Sequence, residues 1–150
     1  MHTDQVGRVE GILIRPKRKQ PPVRVNTWDP SSDADHGRPK SKRAVTLIQK
    51  EHLAVIAALL GKDIQWEQTR RNVLVSGINL LTLVGHRFQV GTVILEGTVL
   101  VDPCHQMEAA FGKGAYAAML GHGGIGARII ESGTLREGDE IRWMGPIPHE

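Results

Sequence analysis

Cys104 is the residue best suited to covalent chemistry in this sequence of 150 residues, and it is the only cysteine. It directly follows Asp102 and Pro103 at the end of a predicted strand, and it begins a segment with helical spacing, residues 104–111. The first turn of a helix favours a thiolate, which attacks sulfur or carbon and ligates soft metals. A buried, inert cysteine fits this position equally well.

Two guanidinium groups and an amide stand directly before another predicted strand, as Arg70, Arg71 and Asn72. Such groups suit the recognition of a phosphate or a carboxylate. Further polar and cationic residues lie on a long polar loop and on the strand that follows it: His36, Arg38, Lys40 and Arg43. These side chains either complete an anion pocket or form a solvated surface.

The glycine-rich run at residues 121–126 has two interpretations. Its backbone N–H groups could approach a phosphate, but neither a Walker loop nor a dinucleotide fingerprint is present. A tight connection between a helix and a strand is the favoured interpretation. His105 and His122 flank the Cys104 region, yet no His-x-x-x-His pair occurs, so a dedicated zinc site is not predicted.

The elements that must position these residues are short, because 17 glycines and 8 prolines divide the chain. Alternation predicts strands at residues 5–14, 23–28, 43–48, 72–75, 87–90, 92–101, 128–131 and 140–143. Helices are predicted at 49–60, with Gly61 as the terminating residue, and at 104–111 and 115–120. Strands and helices do not alternate, so we expect a mainly β fold with inserted helices, a closed or partly closed β-barrel.

Composition is that of a globular domain, with 40% hydrophobic and 23% charged residues. We expect a single domain over residues 1–150, with its core at about 5–145, a long basic loop at 29–42 and a loose tail at 145–150. The sequence has no apolar run of membrane-spanning length and no apolar signal segment, and a lone cysteine excludes an internal disulfide. These features favour a cytoplasmic protein without a membrane partner.

The net charge is +3, and residues 15–24 and 36–43 carry cations without any acidic residue. An anionic partner would fit such stretches. Nucleic acid is disfavoured, because the chain has only three Trp, two Phe and one Tyr, and none alternates with the cations.

The order of these motifs resembles the MOSC domain, the module named for the C-terminal region of molybdenum cofactor sulfurases. The resemblance covers about residues 5–145 and is most specific from Arg70-Arg71-Asn72 to Asp102-Pro103-Cys104. The other matching segments are His36-Gly37, residues 42–47, 73–80, 83–85, 88–91 and 95–98, Gly123-Gly124, Ala127-Arg128, Gly133 and Gly138-Asp139.

This resemblance implies a MOSC-type β-barrel in which Cys104 carries sulfur as a persulfide. In relatives that reduce N-hydroxylated compounds, the matching cysteine ligates molybdenum instead. The family's cofactor, molybdopterin, is an anionic pterin with a phosphate tail. The residues expected to hold it are His36, Lys40, Arg43, Arg71 and Asn72.

Three hypotheses follow. The first is a sulfur carrier of molybdenum-cofactor metabolism, a sulfurtransferase supplied by a cysteine desulfurase or another donor, with a molybdoenzyme among its partners. The second is a molybdenum-dependent oxidoreductase for N-hydroxylated compounds, with Cys104 as the metal ligand and an external electron-transfer partner. We expect a chain of this length to have no room for the additional domains of the larger relatives. This expectation disfavours the oxidoreductase hypothesis more than the sulfur-carrier hypothesis. The third is a basic barrel that binds nucleic acid or another acidic partner, with Cys104 structural.

Overall fold

The computed structural model of the chain describes residues 6–15, 21–32, 40–101 and 111–148. Within these residues lie ten β-strands, two α-helices and three short 3-10 turns. The strands are β1 (Val6–Ile14), β2 (Val23–Val25), β3 (Thr27–Trp28), β4 (Val45–Gln49), β5 (Val73–Ser76), β6 (His86–Val90), β7 (Val93–Leu100), β8 (Ile125–Glu131), β9 (Leu135–Arg136) and β10 (Glu140–Pro146). The helices are α1 (Lys50–Leu60) and α2 (Ala115–Met119), and the 3-10 turns are Pro30–Ser32, Trp66–Thr69 and Leu80–Leu83.

Eight of the strands form one sheet in the order β10-β6-β7-β8-β4-β5-β1-β2. Because β10 also pairs with β1, the seven strands other than β2 close into a barrel. Closure removes the unpaired strand edges that an open sheet would present. The pairs are antiparallel except β4–β5, which is parallel and is connected through α1. The predicted mainly β barrel with inserted helices is confirmed.

Two apolar clusters hold this arrangement together. The barrel interior is filled by side chains such as Ile12, Leu47, Phe88 and Leu95, each 0% exposed. The outer cluster lies between the sheet and the helices and includes Leu13, Ile48, Ile56, Trp66 and Met119. Successive residues of β4, Leu47 and Ile48, belong to different clusters, as the alternation of side chains along a strand requires. The barrel wall is therefore packed on both faces beside the helices.

Helix α1 ends where the sequence predicts. Gly61 takes a left-handed conformation with φ of 70°, which glycine adopts without a steric penalty. Leu53 and Ile56, three residues apart, face the outer cluster. No helix in the described part of the chain is long and apolar enough to cross a membrane.

Three predicted boundaries need correction. The expected strand at 23–28 is two strands, because β2 pairs with β1 whereas β3 pairs with β9. Strand β8 starts at Ile125 rather than at residue 128, because Gly126 pairs with Thr46 inside the barrel wall. The tail predicted to be loose from residue 145 remains paired through Pro146, after a bulge at which Gly145 has φ of 104°. Residues 104–110 of the predicted helix 104–111 and positions 33–39 of the long loop lie outside the described residues.

Candidate functional site

The glycine segment, defined as Gly121–Gly126, connects α2 to β8 and is the point where distant parts of the chain meet. A Cβ atom on Gly124 would lie 2.0 Å from the carbonyl oxygen of Leu47, and one on Gly123 would lie 2.7 Å from that of Val101. Gly124 also has φ of 98°, in the region that side chains avoid. These glycines therefore allow close backbone contact, as the tight-connection interpretation requires.

Arg71 fixes this segment to the start of β5. Its side chain is only 8% exposed, and its Nε donates a hydrogen bond of 2.8 Å to the carbonyl oxygen of Gly123. Its Nη1 lies 3.4 Å from the carbonyl oxygen of Thr69, and its own carbonyl accepts a bond from the indole N–H of Trp66. The guanidinium is thus held in place by backbone groups on two sides.

The residue that follows β7 is hydrogen-bonded to the glycine segment. The N–H of Val101 donates a 2.9 Å hydrogen bond to the carbonyl oxygen of Gly124. Cys104 follows three residues later and lies outside the described residues, as does His36.

The predicted cations Lys40 and Arg43 lie in the turns that precede β4, so that Arg43 is not on the strand as predicted, and both are exposed. The hydroxyl of Thr98 on β7 donates to the carbonyl of Lys42. A Cβ on Gly126 would lie 3.2 Å from the Arg43 Cγ, so the arginine stem covers the end of the glycine segment. Neither Lys40 nor Arg43 forms an ion pair with a described residue.

Asn72, another predicted binding residue, instead ties three strands together. Its Oδ1 accepts bonds from the Thr46 N–H at 2.9 Å and from the Thr46 hydroxyl at 3.0 Å. Its Nδ2 donates to the carbonyl oxygen of Leu13 at 3.1 Å, and the side chain is 4% exposed. These contacts join β5 to β4 and β1, so the structure gives Asn72 a positioning role beside Arg71.

A pair of histidines that sequence reasoning does not connect lies beside the glycine segment. The rings of His52, in the first turn of α1, and His122 are 5.0 Å apart between centroids and are inclined at 84°. Burial lowers the pKa of His52, the adjacent His122 lowers it further, and Glu51 opposes the shift. At neutral pH the His52 ring is therefore uncharged.

This lowered pKa predicts a loss of stability in mild acid. Unfolded His52 takes up a proton near its ordinary pKa of 6.5, whereas folded His52 does so at lower pH. The stabilisation is complete above pH 6.5 and falls as the pH decreases through the folded pKa. We expect the urea midpoint of the wild type to decrease when the pH is lowered from 7.5 to 5.5, and to decrease less in His52→Gln. A metal chelator is present in all samples. Equal decreases of the urea midpoint in both proteins would refute this assignment.

Comparison with known proteins is consistent with this architecture. The MOSC domain family matches residues 32–142 of the chain. The crystal structure of the YuaD protein from Bacillus subtilis superposes with a TM-score of 0.78 at 22% identity, covering 91% of this chain and 94% of that one. YiiM from Geobacillus stearothermophilus gives 0.74 at 14% identity, covering 92% and 75%. YiiM from Escherichia coli gives 0.67 at 14% identity, covering 95% and 72%. No curated protein sequence matches the chain.

Proposed function

Because the chain belongs to the MOSC domain family, we propose that it carries sulfur in molybdenum-cofactor metabolism, with Cys104 accepting the sulfur as a persulfide. The observation that carries this proposal is the meeting of three parts of the chain at the glycine segment. Arg71 binds Gly123, the end of β7 binds Gly124, and the stem of Arg43 covers Gly126. Cys104 follows Val101 by three residues in the sequence, which supports a sulfur acceptor in the same region as the exposed Arg43.

The transfer step is a thiol–persulfide exchange. The Cys104 thiolate attacks the outer sulfur of a donor persulfide, such as the persulfide of a cysteine desulfurase. A sulfur–sulfur bond forms at Cys104, the donor's sulfur–sulfur bond breaks, and the donor cysteine leaves as a thiolate. The exchange needs no added oxidant or reductant.

The described residues expected near an anionic acceptor such as the molybdenum cofactor fall into two groups. Lys40 and Arg43 present charges without an ion-pair partner among the described residues, and we propose that they bind the phosphate. Arg71 and Asn72 are held by backbone groups, and we propose that they shape the floor of the site. His36 remains a candidate for the same anion. When bound, the cofactor would supply a molybdenum centre to this site.

The proposal is tested by incubating the protein with a cysteine desulfurase and free cysteine, followed by intact mass spectrometry without reductant. Because the chain has one cysteine, any thiol-linked sulfur must lie on Cys104. We expect the wild type to gain the mass of one sulfur atom, and Cys104→Ser to gain none. Treatment with dithiothreitol should remove the gain.

A wild type that gains no sulfur while its thiol still reacts with iodoacetamide would contradict the carrier function. Molybdenum analysis of the same preparation would then test the oxidoreductase alternative. That alternative requires bound metal in the wild type and its loss in Cys104→Ser.

A further inference from the structure

The ring separation of His52 and His122 is one that two ligands of a single metal ion can have. A zinc ion lies about 2.0–2.1 Å from a coordinating ring nitrogen, and hence about 3.2 Å from the ring centroid. Two rings on one ion are then separated by about 4.5 Å at a right angle and about 5.2 Å at the tetrahedral angle. The observed separation of 5.0 Å falls between these values.

The hydrogen bonding of His122 also favours a ligand. The Nδ1 of His122 is buried and makes no hydrogen bond with any described residue. A buried ring nitrogen without a partner is costly unless a proton donor or a metal occupies it.

We propose that His52 and His122 form a binding site for one divalent transition-metal ion of the zinc class. Imidazole nitrogen is a preferred ligand of zinc, copper and nickel. No group of three metal-binding side chains exists in the parts of the chain that the structure describes. Water completes the coordination shell. The carboxylate of Glu51 accepts a bond from the N–H of Gly77 and adds negative charge nearby without joining the site.

A metal at this position would link two elements that position the proposed sulfur site. His52 belongs to α1, and His122 is followed directly by Gly123, whose carbonyl binds Arg71. A bound ion would therefore hold the glycine segment against the helix. Because ligand binding to the folded state raises stability, the metal should also raise the melting temperature.

The test uses the full chain, stripped of metal with a chelator and then freed of the chelator. Zinc binding is measured by isothermal titration calorimetry and by the melting temperature. The variants are His52→Gln and His122→Gln, with His86→Gln as the matched control, because His86 lies on β6 and bonds to Trp143 instead. Melting of each variant without metal establishes that it is folded.

We expect wild type and His86→Gln to bind zinc equally, and each of the other two variants to bind at least about tenfold more weakly. Absence of zinc binding in the wild type, or unchanged affinity in both His52→Gln and His122→Gln, would overturn the proposal. Titration of Cys104→Ser separates this site from the proposed function. If Cys104→Ser still binds zinc, the metal is held by the histidines. If Cys104→Ser loses zinc binding while His52→Gln and His122→Gln retain it, the metal is held by the thiol and the histidine site is refuted.

Discussion

Gly124→Ala should abolish or nearly abolish folding. The added Cβ would lie 2.0 Å from the Leu47 carbonyl oxygen and 3.0 Å from its carbonyl carbon, both rigid backbone atoms of β4. The alanine must also adopt φ of 98°, which strains any residue with a side chain. We expect a loss of about 4 kcal/mol or more, a large fraction of the 5–15 kcal/mol that stabilises an ordinary domain. Urea unfolding followed by circular dichroism measures it.

Gly121→Ala is the matched control, because it lies in the same segment and also has a positive φ, of 82°, but nothing lies within 4 Å of its added Cβ. It should lose only about 1–2 kcal/mol, the usual cost of the left-handed conformation. Equal losses in the two variants would show that conformation, rather than close approach to β4, determines the need for glycine here.

Asn72→Ala should produce the second large loss, about 3–4 kcal/mol. The change removes three hydrogen bonds and leaves the Thr46 N–H and the Leu13 carbonyl buried without partners. Each unsatisfied buried group costs about 1–3 kcal/mol. Denaturant unfolding of the purified variant measures the loss.

Asn79→Ala provides the comparison, since exposed Asn79 accepts a single bond from the Leu81 N–H. Loss of this cap should cost about 1 kcal/mol. If Asn72→Ala proved as stable as Asn79→Ala, the side chain would not be tying the strands together, and its predicted contact with the cofactor would become the better explanation.

Much of the fold could be predicted because local signals and tertiary structure agree. Alternation in β1 and the helical spacing before Gly61 correctly place those elements. The division between β2 and β3 could not be predicted, because each pairs with a different strand and no local pattern specifies the partner. Pairing beyond residue 145 likewise depends on a bulge that forms against β6.

The candidate site could be predicted only as a set of residue types. A polar residue before a strand looks the same whether it binds a ligand or ties strands together, so the role of Asn72 required its contacts with Thr46 and Leu13. The His52–His122 contact joins residues far apart in sequence, on elements of different type. Conversely, the exposure of Arg43 and Lys40 could be predicted from their charge alone, because neither side chain packs in the core.

We propose that the Cys104 thiol acts as one site with the two cations that precede β4, Lys40 and Arg43. The most direct test is the rate at which sulfur-loaded protein transfers its sulfur to two thiols of the same skeleton, one with a phosphate group and one without. We predict that the phosphorylated thiol reacts about tenfold faster at low ionic strength, because cations concentrate an anionic acceptor. This advantage should disappear at about 1 M salt, where the Debye length is about 3 Å, and in Arg43→Gln. Equal rates for both thiols at every salt concentration would contradict the account.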